Sequence, residues 1–463
     1  MTTWQTNGIV WSIASARGVV YVGGSFDSVR PPGAQRGEGE VPRKNFAAFD
    51  AATGRLLPCA PSFTAGPDNS VRALKTSPDG KVLYVGGSFG RVDGTGVANA
   101  AAIDTAGCSL RKDFRPPVQA TVRAVDVTDD AVYLGGDFQA VGGRTREHLA
   151  SFSRTGALLP FKADIDQPVL AVLAAPDHGR ILVGGDFHRV NGAAEAALVA
   201  LDPGTGSTVA SFPGWIPRSG VGVKTLTRDG ADFYLGAEGR GTGLFDGRIA
   251  GRLSDGKLLW KDSCQGATQA LAVYQGVLYS ATHAHNCSQT PGGFPDGRRQ
   301  HFLANSVRDG RILHWFPDTD DGIGESNGPR ALAMAGGILW AGGEFTTVNN
   351  RPQQGLTRFS AGPGTAVPEG TPVMRAATNR AGRVELTWRA TWDRDDAELT
   401  YLIERDGRRV ASPKKRSTWW DRPEMTYTDS VAPGSRHRYT IAVSDGTTTS
   451  PRSQPLDVTV AGG

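Results

Sequence analysis

Apolar runs of strand length recur down the whole chain, each bounded by Gly, Pro, Asn or Asp, and none is long enough for a buried helix. The pattern predicts short β-strands in a repeated order. A first strand reads Val71-Arg-Ala-Leu74, Val122-Arg-Ala-Val125, Val169-Leu-Ala-Val172, Val223-Lys-Thr-Leu226, Gln269-Ala-Leu-Ala272 or Arg330-Ala-Leu-Ala333. A turn such as Ser77-Pro-Asp-Gly80 follows, with the Pro and Gly that type I and II turns favour. The second strand ends on a glycine pair, as in Val82-Leu-Tyr-Val-Gly-Gly-Ser-Phe89. A third carries Phe46-Ala-Ala-Phe-Asp50 or Leu198-Val-Ala-Leu-Asp202, and a fourth closes on Phe63, Phe114, Phe161, Phe212 or Trp315.

The second strand is the most regular part. Full copies end at Phe26, Phe89, Phe138, Phe187 and Phe345, and weaker ones read Phe233-Tyr-Leu-Gly-Ala-Glu-Gly239 and Val277-Leu-Tyr-Ser-Ala-Thr-His283. These seven copies recur every 45 to 63 residues, roughly, which is the period of propeller blades. Four antiparallel strands repeated seven times predict a seven-bladed β-propeller over residues 1–360. The seventh repeat lacks a fourth strand of its own. The segment Thr2-Thr-Trp-Gln-Thr6, with Trp4 at the place of the closing aromatic, is expected to supply it and lock the ring.

After Phe359 the pattern changes. Residues 361–371 are rich in Gly and Pro and read as a linker. Beyond them Val384-Glu-Leu-Thr-Trp388, Tyr401-Leu-Ile-Glu-Arg405, Tyr439-Thr-Ile-Ala-Val443 and Leu456-Asp-Val-Thr-Val460 alternate with period two, which predicts a β-sandwich over residues 372–463. Through Trp388, Arg405-Asp-Gly407, Thr426-Tyr-Thr-Asp429 and Val431-Ala-Pro-Gly434 this part resembles a fibronectin type III domain. It departs from that family at His437, which stands where the corner tyrosine is usual. The first 360 residues resemble the Gly-Gly-x-Phe class (delta-60-type, kelch-like repeats) of secreted bacterial proteins, in which such propellers are often joined to fibronectin type III domains. The resemblance implies the all-β architecture and little about activity.

Composition narrows the remaining choices. Formal net charge is +4 with the basic residues scattered, so no nucleic-acid footprint is expected; Pro413-Lys-Lys-Arg416 reads as a solvated loop. No apolar stretch has the length of a transmembrane helix. The N-terminus lacks the layout of a signal peptide. Cys264 and Cys287 flank a hairpin turning at Tyr274-Gln-Gly276, in a register that sets them almost opposite one another. Cys59 and Cys108 are left as the second candidate pair. Two disulfides imply a secreted or cell-surface protein whose leader has been removed.

Chemistry concentrates at few positions. A glycine pair in a strand marks close backbone approach, and the Phe beyond it packs between neighbouring repeats. The residue directly after the pair is Ser25, Ser88, Asp137, Asp186, Glu238, His283 or Glu344, and symmetry places these in a ring. They either bond local backbone or form a binding girdle, whose candidates are Asp137, Asp186, Glu238, His283 and Glu344. His283 and His285 share one side of an extended strand and are candidate metal ligands, with His301 or the acidic ring completing the set. Asp318-Thr-Asp-Asp-Gly-Ile-Gly-Glu325 has the acidic look of a calcium loop, with Asp318 and Asp320 as ligands for Ca2+ or another divalent cation. It departs from the standard loop at Gly322 and Ile323.

No Gly-x-Ser-x-Gly, His-Glu-x-x-His or phosphate-loop motif occurs. The leading expectation is therefore a monomeric extracellular recognition protein whose propeller binds a glycan or a protein, with enzymatic activity left open. The binding face is expected at the end carrying the long segments Ser28 to Arg43, His283 to Gln300 and Pro317 to Gly328. Two alternatives stand beside it: a secreted glycosidase or lyase using carboxylates such as Asp137, Asp186, Glu238 or Glu344, and a purely structural adhesion module.

Overall fold

The structure is a computed structural model that describes residues 1–241, 244–360, 364, 366–378 and 382–462. Among these the chain is all-β, built from many small antiparallel sheets; the one helical element is a 3-10 turn at Pro176–His178. It divides into two compact units, Met1–Leu313 with Asp318–Ala361, and His314–Pro317 with Gly362–Gly463.

Seven sheets of the first unit share one plan. Their first strands are Ile9–Ala16, Ser70–Thr76, Val122–Val127, Val169–Ala175, Val221–Asp229, Thr268–Tyr274 and Pro329–Ala335. Each pairs with the following strand, which carries the glycine pair or its substitute, and that strand pairs with a third. Each first strand also neighbours the first strands of the preceding and following sheets, and Pro329–Ala335 neighbours Ile9–Ala16, so the seven follow one another in a closed cycle. The cycle is closed by packing as well: Val10, Val22 and Phe49 of the first sheet share one apolar cluster with Ala331, Trp340 and Leu356 of the seventh.

The glycine pairs make this possible. A Cβ on Gly135 would stand 2.5 Å from Val169 Cγ1 on the next sheet's first strand, and one on Gly236 would stand 2.6 Å from Thr268 Cγ2. Gly23, Gly86, Gly184 and Gly342 meet Val71, Val122, Val223 and Val10 in the same way. A Cβ on the second glycine would run into a carbonyl oxygen of its own sheet's first strand or of the residue just before it: Ile9 for Gly24, Thr121 for Gly136, Pro168 for Gly185. In the sixth sheet Ala281 and Thr282 replace the pair, and the next first strand begins with Pro329 where the others carry Val or Thr. The Phe that follows is buried in every full copy, and Phe89 meets Phe63 edge-on at 4.9 Å.

Three features differ from the sequence expectation. A fourth strand forms a ladder only in the second, fourth and fifth sheets; in the first, third and sixth it shrinks to single bridges at Leu56, Leu158 and Ile312. The closing aromatics have turned instead toward the neighbouring core, as where Phe63–Thr64 pairs with Arg91–Val92. The loops after the glycine pairs carry small hairpins, such as Arg91–Val92 with Thr95–Gly96 and Arg189–Val190 with Ala193–Ala194. Their tips, Asp93-Gly94 and Asn191-Gly192, have positive φ at both residues, as type I′ turns require.

The N-terminus does not become a fourth strand of the seventh sheet. Gln5–Thr6 pairs with Ser28–Arg30, whose other neighbour is Val41–Pro42. It nevertheless ties the ring's two ends together. Thr6 donates its N–H to the Gln354 carbonyl at 3.2 Å, Arg358 reaches the Thr2 carbonyl at 3.0 Å, and Trp4 packs against the shared cluster.

Both disulfides are present, Cys264–Cys287 with Cα atoms 4.2 Å apart and Cys59–Cys108 with 5.4 Å. Beside the first lies a fully buried ion pair, Arg248–Asp262, whose carboxylate also accepts from the Cys264 N–H at 3.0 Å and from Asn305 at 3.3 Å.

The second unit holds two antiparallel sheets. One comprises Arg375–Thr378, Arg383–Arg389 and Glu424–Ser430; the other is centred on Glu398–Arg405 and Arg436–Ser444. Leu386 and Trp388 from one share a core with Tyr401, Ile403, Tyr439 and Ile441 from the other. Lys414–Arg416 is an exposed edge strand on Glu398–Thr400 rather than a loop. Ala361, Gly362, Pro363 and Thr365 of the expected linker lie outside the described residues.

Gly135→Ala should destabilise by about 1–3 kcal/mol through overpacking against Val169. Gly96→Ala, where a new Cβ meets nothing within 4 Å, should stay within about 0.5 kcal/mol of wild type; denaturant titration measures both. Deleting residues 1–6 should lower the melting midpoint, and an unchanged midpoint would refute the tie.

Candidate binding site at the glycine-pair end

In each of the seven sheets the register between first and second strands skips one residue of the first strand. The breaks fall between Val10/Ser12, Val71/Ala73, Val122/Ala124, Val169/Ala171, Val223/Thr225, Thr268/Ala270 and Pro329/Ala331. A bulged residue is left out of the ladder and re-aims its side chain. Here the bulged residues are Trp11, Arg72, Arg123, Leu170, Lys224, Gln269 and Arg330. Cyclic order brings them to one end of the first strands, beside the residues that follow the glycine pairs.

The two sets of side chains answer one another. Arg123 meets Asp137 at 2.6 Å, Lys224 meets Glu238 at 2.7 Å and Arg330 meets Glu344 at 2.9 Å. The Trp11 Nε1–H donates to Ser25 Oγ at 2.9 Å. Where the bulge holds Leu170, Asp186 takes its cation from Arg240 of the next sheet at 2.6 Å. His283, opposite Gln269, accepts from the Ala267 N–H through Nε2 at 3.2 Å. Burial and then the nearby Arg299 push its pKa down to about 4. Ser88 accepts from the Asp68 N–H at 3.3 Å, while Arg72 Nε donates to Ser70 Oγ at 3.0 Å. The Arg72 and Arg330 guanidinium groups both lie over the Trp11 ring, 4.0 and 4.6 Å from its centroid.

The ring candidates from the sequence thus stand together at one end, each partnered. The bulged residues were missed, although Val71-Arg-Ala, Val122-Arg-Ala and Val223-Lys-Thr repeat a cation inside an apolar strand.

The metal candidates are not brought together. His285 stands 3.2 Å from the exposed Asp296. Asp320 accepts the Thr346 and Thr347 N–H groups at 2.6 and 3.0 Å. Asp318 accepts the His301 N–H and Nδ1 at 3.0 and 2.9 Å. The acidic crossing is therefore held by protein donors, not arranged around an ion. Its far end is anchored by buried Glu344, which accepts from the Asn327 N–H at 2.8 Å. No three of His283, His285, Asp318 and Asp320 present ligand atoms to a common point. Among the described residues such a group is instead Asp393, Asp395 and Asp396 in the second unit, with ligand atoms within 4.8 Å of one another. There Asp393 already accepts the Asp395 and Asp396 N–H groups at 3.0 and 3.2 Å, and burial, then Asp393, pushes the Asp395 carboxyl up to about 7.

No protein-family model matches the chain, and no curated protein matches it. Among solved structures it is similar to the computationally designed Ika8 protein, at 16% identity and a TM-score of 0.45, over 75% of this chain and 97% of that one. A chain of the mitotic checkpoint complex gives 13% and 0.48, over 73% and 90%. Sqt1 of Saccharomyces cerevisiae gives 9% and 0.40, over 84% and 96%. None of these likenesses is close enough to carry the architecture, which rests on the sheets themselves.

The crossing carries a pH dependence. Burial of His301 disfavours its charged ring, but Asp318 on Nδ1 and Asp321 on Nε2 outweigh it and hold its pKa above the ordinary value. The stability it adds is fully present below about pH 6.5 and is lost as pH rises through the raised folded value. His301→Gln should therefore lower the melting midpoint more at about pH 5.5 than at about pH 9. Equal losses at both would refute the charged clamp.

Proposed function

We propose that residues 1–360 form a seven-bladed β-propeller of Gly-Gly-x-Phe repeats, joined through residues 361–371 to a fibronectin type III-like domain at 372–463. We read the whole as an extracellular recognition protein that binds a glycan at the glycine-pair end. The closed cycle of first strands supports the propeller. Two layers of strands around Trp388 and Tyr439 support the second domain. At its corner His437 stands in for tyrosine, bonded to Ser435 Oγ at 2.8 Å, which donates to the Ala432 carbonyl. Two disulfides fit an oxidising compartment. Among the described residues no helix is long and apolar enough to cross a membrane.

The observation that carries the binding reading is the double ring of bulged and post-glycine side chains, a dense hydrogen-bonding surface on a rigid scaffold. Its chemistry suits a hydrated ligand better than a protein interface, whose core would be apolar and aromatic. Among the described residues the large apolar side chains left exposed are Met1, Val209, Leu258, Ile323, Val367 and Val373. Among those of the first unit, Ile323 lies on the acidic crossing at this end. Catalysis is less well supported. Asp137, Asp186, Glu238 and Glu344 are each engaged by a cation, which leaves no free pair of them to flank a glycosidic bond.

A glycan array probed with the full chain should give binding without turnover, and Asp137→Asn with Glu238→Gln should weaken it. Release of reducing ends or unsaturated products, abolished by the same substitutions, would establish the enzyme instead.

A further inference from the structure

Four of the seven bulged residues are cations, and three of them touch a carboxylate: Arg123, Lys224 and Arg330. Arg72 does not. Opposite it the chain places Ser88 where the third, fifth and seventh sheets place Asp or Glu. Its Nε–H goes to Ser70 Oγ and its guanidinium lies over the Trp11 ring, and neither contact is a hydrogen bond from the two Nη groups. Nearby charge includes two further cations. Arg330 shares the Trp11 ring, and Arg123 occupies the same place on the following strand. Burial and then Arg123 act to lower the Arg72 pKa, Asp68 and Glu325 raise it, and Arg330 lowers it by less than any of these; neither carboxylate forms an ion pair with Arg72.

A guanidinium held by its Nε and its face, with both Nη groups free, presents the fork that grips a carboxylate or sulfate in bidentate fashion. Seven-fold repetition makes the departure meaningful. Acidic residues complete the pair in three sheets, and the second sheet omits one where Arg72 and Arg330 share the Trp11 ring. We propose that Arg72, backed by Trp11, is the docking point for an anionic group of an acidic glycan, the charge being a carboxylate or a sulfate. This inference rests on the glycan-binding reading above and specifies its ligand class.

The test uses the full chain and three hexasaccharides: an oligogalacturonate, which carries carboxylates alone; a sulfated dextran oligomer, which carries sulfates alone; and the neutral dextran oligomer. Calorimetry and tryptophan fluorescence report binding, and a poly-Glu peptide serves as the protein-like competitor. At least one acidic oligomer should bind about tenfold or more tighter than the neutral one, and Arg72→Gln should remove that advantage. Arg72→Lys should restore part of it, and Arg111→Gln, on the exposed Arg111–Asp113 pair, should leave it intact. Which acidic oligomer responds identifies the charged group. Melting midpoints of the variants confirm that each is folded. Equal affinity for acidic and neutral oligomers, or wild-type affinity in Arg72→Gln, overturns this inference and leaves glycan recognition standing. Binding of the poly-Glu peptide in preference to every sugar overturns the glycan class, and no binding of any oligosaccharide, on the array or in solution, overturns both.

Discussion

The arrangement of the first unit depends on one contact repeated around it: an α-carbon without a side chain against a β-branched side chain on the next sheet. Gly23 receives Val71, Gly86 receives Val122, Gly135 receives Val169, Gly184 receives Val223, and Gly342 receives Val10. Sheets with full side chains at that position would pack farther apart, and the first strands could not stay neighbours all the way round. The second glycine serves the same geometry from within its own sheet, by admitting the carbonyl oxygen that the bulge pushes toward it. In the five full copies one dipeptide therefore accommodates both the spacing between sheets and the break in register within them, a break that the fifth and sixth sheets keep with Gly236-Ala237 and Ala281-Thr282.

That break positions the site. Because each bulge falls one residue beyond the residue packed against the neighbouring sheet, Val in five sheets, Thr268 in the sixth and Pro329 in the seventh, the fold and the binding end are fixed by the same three or four residues. Val122-Arg123-Ala124 shows the division of labour: Val122 and Ala124 are buried, while Arg123 turns out to meet Asp137. Charge at the mouth is then a matter of two positions per sheet. In most copies they stay partly exposed, whereas Ser88 and Glu344 are buried and Glu344 also anchors the crossing.

The sheets were legible in the sequence because Gly-Gly-x-Phe is a local signal, and local signals survive without knowledge of the fold. The ring of Asp137, Asp186, Glu238, His283 and Glu344 followed from symmetry for the same reason. The bulges did not. A residue skipped in a ladder looks like any alternating polar position in a strand, and Arg72 in Val71-Arg-Ala-Leu74 reads as one. The N-terminal pairing was misplaced because Trp4 does carry the closing-aromatic chemistry. The backbone of Gln5 and Thr6 still found a nearer edge in Ser28–Arg30. The acidic crossing misled in a different way. Asp318 and Asp320 have the spacing of cation ligands, but neighbouring amides and His301 reach their oxygens first. The hairpin tips at Asp93-Gly94 and Asn191-Gly192 were legible and unread.

Repetition also decides which residues carry information about ligands. In a chain without repeats, an arginine beside a serine is unremarkable. Here the same place occurs seven times, and most copies show how the structure satisfies itself: cation with carboxylate, indole with hydroxyl. The exceptions are Leu170 with Asp186, Gln269 with His283, and Arg72 with Ser88. The first is repaired by Arg240 from the next sheet. The second is settled by burial, which keeps the His283 ring neutral near pH 7 and lets it accept from Ala267. Arg72 has neither remedy. Its charge has an aromatic face and one hydroxyl, with Asp68 and Glu325 acting on it without forming an ion pair, which leaves it the position in the ring that a ligand's anionic group would complete.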